Sequence, residues 1–123
     1  MITEFITNRK SITQVAKEIG ISREQLHKYY IVKIASQSTD FRKDYPKLGS
    51  QVFTDLGLSP YQEWALRKLR GLVKAGWTIR QFLLVDEDGF IEFNEEVDKE
   101  ISKAFYLEEK SKERQIQTVQ LLA

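Results

Sequence analysis

Two short helices joined by a tight turn are predicted by the capping residues and the glycine near the start of the chain. Ser11 is a favourable N-cap, and apolar residues follow it at helical spacing: Ile12, Val15, Ala16 and Ile19. Gly20 supplies the left-handed conformation that ends a helix, and Ser22-Arg23-Glu24-Gln25 resembles a capping box. Leu26, Tyr29 and Tyr30 then give a second apolar face. A helix, a turn of about three residues and a second helix are therefore expected within residues 11–30.

The outer face of the predicted second helix is polar and suits contact with double-stranded DNA. Arginine and glutamine fit guanine and adenine edges, whereas lysine and tyrosine fit phosphates. Hydroxyls and free amides at the start of the first helix can also hold a phosphate. The DNA-binding residues predicted from this pattern are Ser11, Thr13, Ser22, Arg23, Gln25, His27, Lys28 and Tyr29. The alternative is an ordinary helical hairpin that binds no DNA.

The middle of the chain predicts a loop and a long helix. Residues 31–35 are rich in β-branched side chains and fit either a strand or a continuation of the second helix. Residues 36–50 predict an extended polar loop, and residues 51–54 a short strand. Residues 61–75 predict a helix that starts near Ser59-Pro60, ends at Gly76 and faces inward with Trp64, Ala65, Leu66, Leu69, Leu72 and Val73.

The last third predicts a hairpin and further helix. The mostly apolar segments 82–85 and 90–93 flank Asp86-Glu87-Asp88-Gly89, which favours a hairpin preceded by a short helix capped by Thr78. Residues 95–105 predict a helix. Residues 108–115 have no apolar side chain, and the apolar pattern resumes at Ile116, Val119, Leu121 and Leu122. The C-terminal region is therefore expected to form either two short helices or one helix with a frayed tail.

The first helix pair resembles that of a known family of DNA-binding domains. Residues 12–22, with Leu26, Tyr29 and Tyr30, resemble the opening of MerR-type and excisionase-type winged helix-turn-helix domains. Residues 64–84 resemble the second helix pair of that family, so the likeness covers about residues 11–85. It implies a wing after the recognition helix, with Arg42, Lys43 and Lys47 on or near it touching backbone phosphates. The segment between the two helix pairs is longer than in the family, and no effector domain is expected, which argues against ligand or metal sensing.

A weaker internal similarity concerns the C-terminal region. Placing Ile12 on Ile101 also places Thr13 on Ser102, Val15 on Ala104 and Ser22 on Ser111. The match leaves open a degenerate second helix-turn-helix within residues 100–119 and a pseudo-twofold pair around a central hairpin, although accidental helical periodicity is favoured. Such a layout is similar to TraN-type accessory proteins of Gram-positive conjugative plasmids.

Enzyme, metal and membrane functions find little support in the sequence. The chain has no cysteine and one histidine, His27. The acidic run at residues 86–88 lacks the spacing of a calcium loop, and there is no glycine-rich phosphate loop. We therefore expect no catalytic residue, metal or cofactor. The start of the chain lacks the pattern of a signal peptide and no apolar run is long enough to span a bilayer, so a cytoplasmic location is expected.

Charge divides unevenly along the chain. Residues 1–85 hold 14 Lys or Arg against 7 Asp or Glu, whereas residues 86–123 hold 5 against 11. A basic first part is typical of a phosphate-binding surface, and an acidic remainder is expected to face away from DNA.

The sequence as a whole predicts a mainly α fold with small antiparallel β elements. One domain is expected over residues 1–123: a winged helix-turn-helix over residues 11–85 and a hairpin strand with an acidic helical segment over 86–123. The expected function is binding of double-stranded DNA as a regulatory or accessory protein of a mobile element, with residues 22–30 in the major groove. A homodimer or other proteins of a transfer or regulatory complex are the further partners considered. The alternative is a protein-interaction module that uses the acidic C-terminal segment.

Overall fold

The computed structural model describes the backbone of residues 8–122 and the side chains of residues 8–115. The structure is mainly helical with two small antiparallel hairpins, which agrees with the predicted α+β class. The helices are α1 (Ile12–Ile19), α2 (Arg23–Gln25, continued by a π-helical segment Leu26–Val32), a 3₁₀ turn (Ala35–Gln37), α3 (Thr39–Lys43), α4 (Pro60–Lys74), α5 (Ile79–Phe82), α6 (Glu95–Glu100) and α7 (Lys103–Leu122). The strands are β1 (Lys47–Leu48), β2 (Gln51–Val52), β3 (Leu83–Val85) and β4 (Ile91–Phe93). The expectations for residues 1–7 and for the side chains of Ile116, Val119, Leu121 and Leu122 lie outside the described part.

The predicted helix, turn and helix within residues 11–30 are present as α1 and α2. The Ser11 hydroxyl accepts a hydrogen bond from the Gln14 backbone N–H at 3.0 Å and so caps α1. Gly20 ends α1 with φ at 90°, a conformation that costs a residue with a Cβ about 1–2 kcal/mol. The chain therefore reverses between the two helices at the residue that the sequence indicated.

The segment after α2 contains more regular secondary structure than predicted. Residues 31–32 continue α2, which decides between the strand and helix alternatives. The predicted extended loop over residues 36–50 is wrong, because it contains the 3₁₀ turn, α3 and β1. Ser38 caps α3 and Phe41 is fully buried, so a core contact stabilises this short helix. The predicted strand at 51–54 is confirmed over Gln51–Val52.

The helix predicted at residues 61–75 is confirmed as α4. Ser59 caps it with a capping box to Gln62, and Pro60 occupies its first turn. Its inward face is the predicted one: Ala65, Leu66 and Leu69 are buried, while Trp64, Leu72 and Val73 are half-buried against the core. The short helix running into a hairpin is also confirmed, with Leu84 paired to Glu92 and Val85 to Ile91.

The C-terminal helices differ from the prediction at residues 95–105 and decide between the two alternatives for the region that follows. The prediction of one continuous helix over residues 95–105 is wrong, because α6 ends at Glu100 and the Ile101 side chain is buried in the core. Of the two alternatives for the region that follows, two short helices are not formed, because α7 passes through residues 108–115 as one helix. Lys112 pairs with Glu108 and Lys110 with Glu113 along the helix, which supports a polar helix in water. Since α7 has no turn near Ser111, a second helix-turn-helix within residues 100–119 is not formed.

One hydrophobic cluster joins helices from both ends of the described chain. Its buried residues run from Val15 and Leu26 through Phe41 and Leu66 to Ile101. The Tyr61 hydroxyl donates a hydrogen bond to the Ile101 carbonyl and ties α4 to the junction between α6 and α7. Burial of this hydroxyl raises the pKa of Tyr61 above its ordinary value.

Helix α7 packs against α4 through an aromatic and ionic contact. The Trp64 indole N–H donates to one Glu109 carboxylate oxygen at 2.8 Å, and Lys68 Nζ lies 3.0 Å from the other. The hydrogen bond from Lys68, followed by the one from Trp64, lowers the pKa of Glu109. Part of the acidic C-terminal segment is therefore neutralised within the chain itself.

Candidate nucleic-acid interface

Helix α2 buries one side and presents a polar side to solvent. Leu26, Tyr30 and Ile31 are buried, which fixes the rotation of the helix about its axis. The residues exposed on its other side include Arg23, Glu24, His27 and Lys28. No ion pair to Arg23, Lys28 or Lys33 occurs among the described residues. These cations are therefore available to an external anion.

The capping box of α2 engages two of the predicted DNA-binding residues. The Ser22 hydroxyl accepts from the Gln25 backbone N–H at 3.1 Å, and Gln25 Oε1 accepts from the Ser22 backbone N–H at 3.2 Å. Bidentate recognition of adenine by glutamine needs both the amide oxygen and the amide nitrogen. Because the oxygen of Gln25 is engaged in the cap, its first role here is to start α2.

A groove with a basic rim lies between α2 and the β1–β2 hairpin. This α2 groove has a volume of about 630 Å³, and Ile12, Ile31 and Val52 contribute to its apolar floor. His27, Arg42, Lys43 and Lys47 stand among its lining residues, and no described aspartate or glutamate does. Such a depression has the sign of charge that a phosphate backbone requires.

A second depression adjoins the first at His27. It has a volume of about 560 Å³ and includes Ser11, Thr13 and Arg23 at the α1–α2 end. Asp55 is the acidic residue among its described lining residues. Seven of the predicted DNA-binding residues therefore line two adjoining depressions: Ser11, Thr13, Arg23, His27, Arg42, Lys43 and Lys47.

The remaining predicted residues lie elsewhere on α2. Gln25 and Tyr29 line a separate groove on the side toward α4 and α5. Lys28 and Lys33 flank the Tyr29 ring, with their Nζ atoms 5.7 Å and 5.2 Å from its centroid. Tyr29 thus lies among positive charges but not in the α2 groove.

Local structure holds the basic residues of the groove rim. The Arg42 guanidinium donates to the Ser36 carbonyl at 2.7 Å, which orients it along α3. Lys47 lies on β1, opposite Val52, in a hairpin whose two-residue turn begins at Gly49 with φ at 63°. A glycine at the first central position is typical of the type II′ turn. Gly49-Ser50 is the sequence signal that could have predicted this hairpin.

Polar contacts fasten the α3–β1 segment to the body of the protein. Buried Gln62 donates to the Phe41 carbonyl at 3.0 Å. Arg9 donates to the Gly57 carbonyl at 2.9 Å, to Gln62 Oε1 at 3.2 Å and to the Asp44 carbonyl. Burial lowers the pKa of Arg9, while the neighbouring Asp44 acts in the opposite direction. Sequence reasoning missed this support, because it treated residues 36–50 as a loop.

No three histidine, cysteine or acidic side chains among the described residues are grouped as metal ligands would be. In the same residues, every helix is too short or too polar to cross a bilayer. In comparisons with known proteins, no family model, curated protein or solved structure matched the chain.

Proposed function

We propose that this chain binds double-stranded DNA as a small winged helix-turn-helix protein. In this proposal α2 enters the major groove, whose width of about 12 Å admits one helix. The β1–β2 hairpin is the wing, and Arg42, Lys43 and Lys47 meet the backbone phosphates. The biological role we propose is regulatory or accessory, in a mobile element.

The observation that supports the proposal most is the distribution of unpaired cations around α2. Arg23 and Lys28 project from its exposed side, and Arg42, Lys43 and Lys47 lie across the α2 groove. Lysines that already form ion pairs with neighbouring carboxylates would bind an added phosphate only weakly. Here the described lining of the groove is free of carboxylates, so counterion release would favour a nucleic acid.

Arg23 offers the cleanest test, because it is exposed and caps nothing. Arg23→Ala should weaken binding to a preferred duplex by roughly 5- to 150-fold, the equivalent of about 1–3 kcal/mol for a base contact. The melting temperature should stay close to that of the unchanged chain. Fluorescence anisotropy of a labelled duplex, taken from the DNA flanking the gene, measures the first quantity.

The matched control is Lys99→Ala, which removes an exposed cation on α6, away from the α2 groove. It should leave affinity unchanged. Equal affinities for Arg23→Ala and the unchanged chain would contradict the proposed role of α2. Gln25 is unsuitable for this test, since removing its cap would also cost about 0.5–2 kcal/mol of stability.

A protein-interaction module that uses the acidic C-terminal segment is the competing function. Glu109 is already paired with Lys68 and Trp64 in the same chain, which removes one carboxylate from such a surface. A footprint on the flanking DNA distinguishes the biological roles. A protected promoter supports a repressor, whereas a protected transfer or attachment site supports an accessory factor.

A further inference from the structure

The β3–β4 hairpin leaves large apolar side chains in water beyond the core. Leu83 and Phe93 at its base pack against the core, but Val85 and Ile91 are 65% and 52% exposed. Leu84 and Phe90 are 56% and 72% exposed. We call residues 83–93 the hairpin arm. Apolar side chains grouped in this way on a projecting element are typical of an interaction surface.

The arm is held in shape by its own turn. Asp86 Oδ1 accepts hydrogen bonds from the backbone N–H groups of Asp88 and Phe90, both at 2.9 Å. Gly89 has φ at 84°, which closes the turn without strain. The tip presents Asp86, Glu87 and Asp88, and no described cation pairs with them. An ordered apolar arm with an acidic tip binds at little cost in conformational entropy.

A groove with complementary chemistry lies at the foot of the same arm. This α4–α5 groove has a volume of about 510 Å³, and its lining includes Ile21, Tyr29, Arg70, Val73, Trp77 and Ile79. Arg70 donates to the Tyr30 hydroxyl at 2.9 Å, but no carboxylate among the described residues pairs with Arg70, Lys74 or Arg80. The groove therefore has a largely apolar lining that includes Arg70, and the exposed cations Lys74 and Arg80 directly follow its lining residues Val73 and Ile79 in the chain.

The arm and the groove adjoin along the chain. Ile79 and Phe82 of α5 line the groove, and the arm begins at the next residue, Leu83. In a dimer with a twofold axis beside α5, the arm of each copy would lie at the groove of the other. Such an interface would cover the arms and the grooves of both copies, and its twofold symmetry would limit the assembly to a dimer and prevent a filament.

We propose that two copies of this chain form a symmetric dimer by exchanging hairpin arms. Val85, Phe90 and Ile91 of one copy enter the α4–α5 groove of the other, and the acidic tip meets Arg70, Lys74 and Arg80 there. A second copy is the occupant because one chain has both the acidic apolar arm and the basic apolar groove. The dimer leaves the α2 groove free, so it does not depend on DNA binding and is measured without DNA.

Sedimentation equilibrium of the full chain tests the proposal. The unchanged chain should show a concentration-dependent dimer, and Ile91→Glu should weaken it at least about tenfold, as expected for a residue central to an interface. Leu107→Glu on α7 is the matched control, because Leu107 is 57% exposed and lies outside the arm. It should not change the dimer constant. Circular dichroism of each variant verifies that it folds.

A charge exchange tests the pairing of tip and groove edge. Glu87→Arg and Arg80→Glu should each weaken the dimer, since each places like charges together. The double variant should recover most of the affinity. No recovery would overturn the proposed pairing.

Because the chain has no cysteine, single introduced thiols can report the contact directly. Chains with Asp88→Cys mixed with chains with Lys74→Cys should form a mixed disulfide on oxidation, and adding Ile91→Glu to both should suppress it. A chain that stays monomeric at all concentrations, or a dimer indifferent to Ile91→Glu, would overturn the proposal.

Discussion

Gln62 shows how one buried polar side chain can position a whole surface. Its Oε1 accepts from the Ser59 backbone N–H at 2.9 Å, and its Nε2 donates to the Phe41 carbonyl. Arg9 donates to the same oxygen. The amide therefore links the N-terminal segment, α3 and α4, and the rim of the α2 groove depends on that link.

Replacing Gln62 should be costly although it removes no apolar contact. Gln62→Leu leaves the Ser59 N–H without its partner, at about 1–3 kcal/mol, and removes one of two hydrogen bonds to the Phe41 carbonyl, which keeps the Asp44 N–H at 3.3 Å. We expect the free energy of unfolding to fall by about 1.5–4.5 kcal/mol, with the urea m-value unchanged. The exposed control, Gln51→Leu on β2, should stay within about 0.5 kcal/mol. Similar small losses for both would refute this role of Gln62.

The sequence predicted the capping interaction of Gln62 within its own helix but not its tertiary hydrogen bond. Ser59-x-x-Gln62 is visible in the sequence as a capping box at the start of a helix. Its bond to the Phe41 carbonyl joins residues 21 positions apart, and no local pattern encodes that pairing. Gln25 illustrates the converse, since a residue predicted to contact DNA is engaged by its own helix cap.

Two glycines occupy different environments: one lies at a close backbone contact and the other lies within a helix. Gly57 has φ at 90°, and a Cβ there would lie 2.7 Å from the Lys10 carbonyl oxygen. That oxygen accepts the Leu58 N–H in the bridge that joins the N-terminal segment to the start of α4. Gly71 lies within α4, where a Cβ would contact nothing within 4 Å.

Alanine at these two positions should have effects of opposite sign. Gly57→Ala should lower the free energy of unfolding by more than about 2 kcal/mol, through left-handed strain and the clash with Lys10. Gly71→Ala should raise it by about 0.5–1 kcal/mol, because alanine loses less entropy in a helix. Urea unfolding of the two variants checks both signs. A stabilising Gly57→Ala would contradict the observed approach.

Element length explains which parts of the fold could be predicted. The apolar periodicity of helix α4 and the turn residues of the β3–β4 hairpin are sufficient to predict these two elements from the sequence. Helix α3 has five residues and the strands of the first hairpin two each, too few to show a period. These short elements exist because Phe41 packs in the core and Gln62 binds its carbonyl. The candidate site was therefore predictable on α2 and only by resemblance on the hairpin.

At the scale of the whole molecule, the charge division of the sequence corresponds to a partial division in space. The α2 groove collects Arg42, Lys43 and Lys47 without a described acidic neighbour in its lining. Among the carboxylates of the last third, Asp86 lies at the tip of the hairpin arm and Glu109 lies against α4. Electrostatic attraction of a duplex should therefore be concentrated on one side of the protein.

The salt dependence of duplex binding tests the central claim most directly. The affinity of the unchanged chain should fall linearly on a log–log plot with salt, and Lys43→Ala with Lys47→Ala should reduce the slope by about 2. Lys99→Ala with Lys112→Ala, at exposed sites on α6 and α7, should leave the slope unchanged. Absence of any duplex binding at ~50 mM salt, or an identical slope for both double variants, would contradict DNA binding through the α2 groove.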